Sequence, residues 1–425
     1  MEKQINIPQL RFPDFTGEWE VKKLGEVADF KVTNSFSREN LNYESGTVKN
    51  IHYGDIHTKF QTLFDITKEK VPFINEEMNI GRIINDFYCR EGDIVFADAS
   101  EDLNDVGKSI EIINLNNEKL LSGLHTLLAR PQNGYFQKGF NGYLFKSNNV
   151  RLQIKKEAQG SKVLSVNVGR ISNINISFPS LPEQQKIATF LTATDDKLQA
   201  LKKKKALLEQ YKKGVMQKLF SQELRFKDEN GGDFPEWEER KLSDLIRLQG
   251  GFAFKSKEFK TKGIPVIRIS NISNDNNYIN LSNVVYYDKI NNAQKFTIEK
   301  WDLIIAMSGA TTGKSSIYNL DEIAYLNQRV GLFRPIEKSL YYGFLIQFVF
   351  SDLFKQQLEA FLVAGAQPNI SSSDIERISL SYPSSNEQSK IATFLSTLDE
   401  KINQVAEQIA QTATWKKGLL QKMFI

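Results

Sequence analysis

The chain is written twice, and that repeat limits what it can fold into more than any other feature. Residues 183–191 read EQQKIATFL and residues 387–395 read EQSKIATFL, a spacing of 204 residues. Residues 211–220 (YKKGVMQKLF) and 415–424 (WKKGLLQKMF) stand at the same spacing. So do Leu128-Ala129-Arg130-Pro131 with Leu332-Phe333-Arg334-Pro335, and Phe178-Pro179-Ser180 with Tyr382-Pro383-Ser384. Self-similarity at a fixed spacing marks one structural unit used twice. Farther upstream the spacing drifts, to 209 between Gly92-Asp93-Ile94-Val95 and Trp301-Asp302-Leu303-Ile304, and to 218 between Glu18-Trp19-Glu20 and Glu236-Trp237-Glu238. Each copy thus has a globular part with loops of variable length and a tail held to one length. Variable loops on a fixed scaffold are where binding specificity resides.

Each tail reads as a long helix. Ser180-Leu181-Pro182-Glu183 and Ser384-Ser385-Asn386-Glu387 fit the S-x-x-E capping box, in which the two side chains satisfy free backbone donors at a helix start. The first tail then places Ile187, Leu191, Thr194, Leu198, Leu201, Lys205, Leu208, Lys212, Val215 and Leu219 at alternating spacings of four and three. The second places Ile391, Leu395, Leu398, Ile402, Val405, Ile409, Thr412, Lys416, Leu419 and Met423 in the same way. A seam sustained for about five heptads predicts a coiled coil, formed most simply by the two tails on each other. Thr194, Lys205, Lys212, Thr412 and Lys416 interrupt it, and polar seam positions set register and partner at some cost in stability. Gly214 and Gly418 occupy equivalent places inside the helices, where glycine costs about 1 kcal/mol against alanine. That repeated cost predicts close approach of another backbone, with tolerated surface glycines as the alternative.

A chain of 425 residues exceeds one ordinary core. The division that follows is 1–179 and 223–383 as globular domains, with 180–222 and 384–425 as helices. Runs such as Ile94-Val95-Phe96, Val266-Ile267-Arg268-Ile269 and Leu303-Ile304-Ile305 read as strands, and Tyr341 to Leu362 as more helical, so the globular parts are mixed. The balance of 55 Lys+Arg against 51 Asp+Glu leaves only +4, too little to indicate nucleic-acid binding by itself. The single cysteine, Cys89, excludes an internal disulfide and fits a reducing cytosol. The first residues carry no signal-peptide stretch, and no run of about 18 apolar residues exists for a membrane span. The expected location is cytoplasmic.

Catalytic patterns do not assemble. Gly309-Ala310-Thr311-Thr312-Gly313-Lys314-Ser315 approaches a phosphate-binding loop but has three residues between its glycines where four are needed. The matching stretch of the first copy, Asp105-Val106-Gly107-Lys108-Ser109, lacks the first glycine, so a turn is the better reading. No Pro-Pro dipeptide occurs, which removes the Asn/Asp-Pro-Pro-aromatic loop of adenine-N6 methyltransferases. The three histidines, His52, His57 and His125, have no Cys or acidic partners at convincing ligand spacing, so no metal site is expected. Lys202-Lys203-Lys204-Lys205 points in nearly every direction around a helix and reads first as a solvated face, with attraction to nucleic-acid phosphates as the alternative.

The paired LPEQQKIATFL and NEQSKIATFL starts, the YKKGVMQKLF and WKKGLLQKMF ends, and the LRF…EWE openings at Leu10 and Leu224 resemble the specificity subunits of Type I restriction-modification enzymes. The resemblance covers essentially the whole chain. It implies an α+β protein with two α/β target-recognition domains separated by two long helices that form an antiparallel coiled-coil spacer. Each domain would read one half of an asymmetric, interrupted site in double-stranded DNA. Two methyltransferase subunits would dock on the helices, and two restriction subunits would complete the nuclease. The chain itself would be non-catalytic and hold no cofactor: S-adenosylmethionine would sit in the methyltransferase partner, ATP and Mg in the restriction partner.

Polar, basic and aromatic loop residues are the natural base readers. The candidates are Asn50, His52, Tyr53, Lys59, Lys108 and Lys162 in the first domain, and Arg268, Asn271, Lys314, Gln367 and Asn369 in the second. Two other readings remain open at this point, a coiled-coil scaffold whose domains bind protein, and an NTPase centred on Lys314. A helix of about 38 residues is about 57 Å long at roughly 1.5 Å per residue, against about 34–36 Å for one turn of B-DNA. The helices would then act as a ruler. Inserting about four residues, roughly one helical turn, at Leu198 should lengthen the unread gap of the methylated DNA motif, and an unchanged gap refutes the ruler.

Overall fold

Short apolar runs bounded by turn residues become the central strands of each copy. In the computed structural model, which describes residues 6–272, 277–363 and 369–425, Ile94–Ala97 and Leu303–Ala306 are buried at every position. The chain gathers into two units, Met1–Lys202 with Glu407–Ile425, and Lys203–Ala406. Each long helix therefore starts in one unit and ends in the other.

The first unit holds a five-stranded sheet in the order Ala28–Lys31, Thr126–Pro131, Ile94–Ala97, Ser109–Asn114 and Leu63–Asp65. It is antiparallel except at Leu63–Asp65, which runs parallel to Ser109–Asn114. A second sheet orders Leu120–Ser122, Lys49–Ile51, Phe73–Ile74 and Leu41–Asn42, with its first two strands parallel. The other unit repeats both sheets. Ile246–Gly250, Val330–Pro335, Leu303–Ala306 and Ser315–Ile317 form the first. Val285–Tyr287, Ile264–Ile267, Ala324–Leu326 and Thr297–Ile298 form the second, again with a parallel pair, Ile264–Ile267 and Ala324–Leu326. The fifth strand differs. Beside Ser315–Ile317 the second unit carries, among the described residues, the bridge Tyr278–Ile317 and a cavity of about 710 Å³.

The mixed helix-and-sheet repeat with its long helices is the architecture expected from the sequence. The helices span Leu181–Phe220 and Ser385–Lys422, 40 and 38 residues. None of the twenty seam residues is exposed. At its far end each helix enters the core of the unit it reaches. Met216, Leu219 and Phe220 pack with Phe344, Phe348, Ile391 and Leu395. Leu419, Met423 and Phe424 pack with Trp19, Phe140, Ile187 and Leu191. In each unit the two helices run antiparallel, and a seam lysine ties them. Lys212 Nζ donates to both oxygens of Asp399 (2.6 Å each), and Lys416 pairs with Asp195 in the equivalent place. The globular part grips each acid as well, through Tyr143 Oη to Asp195 (3.0 Å) and Gln347 Nε2 to Asp399 (3.0 Å).

Two expectations about the helices fail. The S-x-x-E pairs are not capping boxes, because the carboxylates are drawn elsewhere. Glu183 accepts from Nε and Nη2 of Arg11 (both 2.7 Å), and Glu387 from the same atoms of Arg225 (3.1 and 2.8 Å) and from Trp237 Nε1 (2.8 Å). Ser384 Oγ is left buried without a partner among the described residues. A bidentate arginine offers a buried carboxylate two charge-assisted bonds where a capping box offers it one backbone amide, so the motif ties the LRF opening to the helix start. Nor does another backbone of this chain approach Gly214 or Gly418, since a Cβ at either would meet nothing within 4 Å. They face open space.

The lock can be tested. Lys212→Met leaves Asp399 partly buried without its cation and should cost about 2 kcal/mol in urea unfolding, while Lys212→Met with Asp399→Leu should recover most of it. Additive losses would show that the pair does not set the helix register.

Candidate nucleic-acid interface

In the first unit the site grows from the end of strand Lys49–Ile51. His52 caps helix Tyr53–Thr58, its Nδ1 accepting from Gly54 N (3.1 Å) and lying 3.1 Å from Arg38 Nη2. Burial and the neighbouring Arg38 push His52 below its ordinary pKa, so the ring is neutral with its proton on Nε2, a tautomer assigned from these bonds. It presents one donor. Burial alone would raise Asp55, yet Arg38 (2.9 Å to each oxygen) and Lys59 (2.8 Å) hold it below the usual carboxylate range. Lys59 also lies over the Tyr43 ring at 5.6 Å. The strand-to-helix corner is therefore fixed before any ligand arrives.

Tyr53 joins all three histidines of the chain. Its ring stacks on His52 (4.7 Å) and meets His57 (5.9 Å) and His125 (5.4 Å) edge to face. His57 Nε2 is 3.1 Å from Ala99 O, and His125 Nδ1 is 3.3 Å from Asp98 Oδ1. Lys108 reaches His57 O (3.5 Å) and pairs with Asp105 (2.6 Å). Lys162 is exposed beside strand Leu164–Ser165, which pairs with Ala99–Ser100. The fold thus brings His52, Tyr53, Lys59 and Lys108 together, with Lys162 on the adjoining hairpin. Asn50 is different: it is 0% exposed, and its Oδ1 accepts from Asn34 Nδ2 (2.7 Å). It holds the loop to the strand and presents nothing to a base.

The second unit repeats the corner with other side chains. Arg268 follows strand Ile264–Ile267 and caps the turn Ile269–Asn271. Its Nη2 donates to Asn283 O (2.6 Å), and its guanidinium lies 5.8 Å over Phe259. Asn271 is 0% exposed, accepting from Arg268 N (3.0 Å) and donating to Asn280 O (2.9 Å). Both ends of its amide are consumed within the turn, which removes it as a base reader. Thr311 Oγ1 donates to Ile269 O (3.1 Å), and Ser308 bridges to Asn369, so exposed Lys314 and Asn369 lie on segments tied to the Arg268 corner. Gln367 lies outside the described residues.

The Gly-Lys-Ser sequence proves to be one hairpin turn used twice. Gly107 and Gly313 both have positive φ (66° and 82°), and their amides donate to Ala97 O and Ala306 O (2.8 Å each). A Cβ on Gly107 would run into Ile154, and one on Gly313 into Leu358. Strands Ser109–Asn114 and Ser315–Ile317 follow. A phosphate-binding loop opens a helix whose N-terminus faces the phosphate, so this turn is not one. Among the described residues no group of three or more His, Cys, Asp and Glu could hold a metal, and no helix is long and apolar enough to cross a membrane.

Arg38 and His125, not among the base-reading candidates, also belong to this corner. Arg38 opens a short turn, Arg38–Asn40, whose counterpart in the second copy, Ser256–Glu258, opens on serine, so no repeated motif marks it. His125 carried a signal, standing three residues before Leu128 where the 204-residue spacing already holds.

Residues 16–210 and 235–413 match the family described as Type I restriction modification DNA specificity domain. The MjaVIII specificity subunit of Methanocaldococcus jannaschii is 28% identical over 288 residues, 65% of this chain and 68% of that one. The EcoKI specificity subunit of Escherichia coli is 28% identical over 193 residues, 43% of this chain and 40% of that one. Among solved structures, the S subunit of a Type I system from M. genitalium covers 99% of both chains, with a TM-score of 0.62 at 16% identity. A second, described under complex assembly and conformational transition of the Type I system, covers 95% of this chain and 96% of the other, with a TM-score of 0.54 at 16% identity. With both of its copies matched, this chain belongs to the Type I restriction-modification DNA specificity family and is a non-catalytic specificity subunit of such a system.

Proposed function

We propose that each unit reads one half of an interrupted, asymmetric site in double-stranded DNA, and that the chain carries two methyltransferase and two restriction subunits in the cytoplasm. The observation that carries the reading is the repeated corner. The same strand end presents His52 in one unit and Arg268 in the other. An identical frame with different hydrogen-bonding groups selects different bases, which makes the two half-sites unlike. Lysines around it, Lys59, Lys108 and Lys314, supply phosphate contacts that position without specifying. S-adenosylmethionine would be held by the methyltransferase, which modifies adenine N6, and ATP and Mg by the restriction subunit.

Two copies of one partner are supported by a duplicated surface feature. Tyr211 and Trp415 occupy equivalent places on the two helices and are 54% and 50% exposed. Three residues on, Gly214 and Gly418 leave open space on the same helix face. An exposed aromatic beside a notch is the kind of anchor that interfaces use.

The reading is tested by mapping methylated adenines in cells with and without this chain. A two-part motif that vanishes with the chain is expected; a contiguous motif, or none, sinks the proposal. Partner number is tested by native mass spectrometry. Trp415→Ala or Tyr211→Ala should each leave one methyltransferase subunit bound where the unaltered chain binds two, and retention of both by each variant would remove these aromatics from the docking surface.

A further inference from the structure

Beyond the corner residues, the parallel strand pair of each unit ends on an edge where a second residue emerges. In the first unit Ser122 stands opposite Ile51 in the parallel pair. Gly123 N donates to Ile51 O (2.9 Å), and Asp98 N donates to His125 O (3.0 Å). In the second, Leu326 stands opposite Ile267. Asn327 N donates to Ile267 O and Met307 N to Arg329 O, both at 2.9 Å. The bonds correspond one for one. Arg329 therefore holds the place of His125, just as Arg268 holds the place of His52, and the 204-residue spacing agrees.

The two places differ in what else the side chains do. Arg268 is already engaged by Asn283 O and Phe259, whereas Arg329 is exposed on the turn between Ala324–Leu326 and Val330–Pro335. His125 sits in the left-handed region (φ 55°), where a non-glycine residue is disfavoured. Such a conformation persists only where its surroundings impose it, and it clusters at functional positions. Here Tyr53 faces the His125 ring and Asp98 lies 3.3 Å from its Nδ1. Glycine would adopt this backbone more readily, and histidine is among the few other residues that enter it often.

We propose that His125 and Arg329 are equivalent specificity-determining residues, each setting one base of the half-site its unit reads. Arg329 selects a guanine through paired bonds to O6 and N7 in the major groove. His125, fixed by Tyr53 and Asp98, contacts a base edge at the matching position of the other half-site. The inference rests on the reading that both units bind DNA.

The test is the methylation motif of cells carrying this chain with its methyltransferase, for the unaltered protein and for Arg329→Ala, Arg329→Lys, His125→Gly and His125→Asn. Glycine keeps the left-handed backbone of residue 125 while removing the ring. Arg329→Ala should make one guanine position degenerate, with discrimination falling about tenfold or more, while the other half-site and the gap stay as they were. His125→Gly should do the same at one position of the other half. An unchanged motif, loosening of both halves together, or loss of all methylation by a variant whose circular dichroism is intact overturns the assignment. If a variant unfolds, the lysine and asparagine substitutions decide, since they keep the bulk and polarity of the site. If the unaltered chain itself yields no two-part motif, the underlying DNA reading has failed instead.

Discussion

In each unit the core beside the long helices is closed by a helix that began in the other unit. Met216, Leu219 and Phe220 fill one, Leu419, Met423 and Phe424 the other. Burying a large apolar side chain contributes about 1.5–3 kcal/mol, so three together rival the roughly 5–15 kcal/mol that holds an ordinary domain folded. A helix one residue longer would rotate these side chains away from their sites by about 100°. That is why the spacing of 204 residues holds without change through both tails, whereas it drifts in the upstream half of the globular parts. The loops of the globular parts carry no such penalty for a change of length.

Register between the helices has a second safeguard in the Lys212–Asp399 and Lys416–Asp195 pairs. A lysine in an apolar seam is stable only where its acid partner stands, which penalises slipped pairings more than it strengthens the correct one. Tyr143 and Gln347 extend the arrangement by binding the same acids from the globular parts. Seam, lock and head are thus one connected unit in each half. Burial and Asp399 act on Lys212 in opposite directions, burial prevailing to lower its pKa.

The sites separate frame from message in the same way. Backbone hydrogen bonds place residues 52 and 268, 125 and 329, and the turns at Gly107 and Gly313 identically in the two copies. The side chains at the first two pairs of places differ, imidazole against guanidinium. Groups that build the frame, such as Asn50 and Asn271, are buried and bonded within it. Residues of the same chemistry therefore serve opposite ends, and only their surroundings tell them apart.

The repeat, the two long helices, their seam and the mixed globular parts were legible in the sequence, because periodicity and fixed spacing are properties of the chain itself. So was the rejection of the Gly-Lys-Ser loop as a nucleotide site, since loop length is a count of residues. Other features depended on partners distant in sequence. Glu183 and Glu387 looked like capping residues, but Arg11 and Arg225, more than 160 positions away, claim them. Gly214 and Gly418 looked like contacts and face open space. The gathering of three histidines on Tyr53, and the equivalence of His125 with Arg329 as edge residues, arise from strand pairing. Strand pairing is a long-range choice, and no local pattern encodes it.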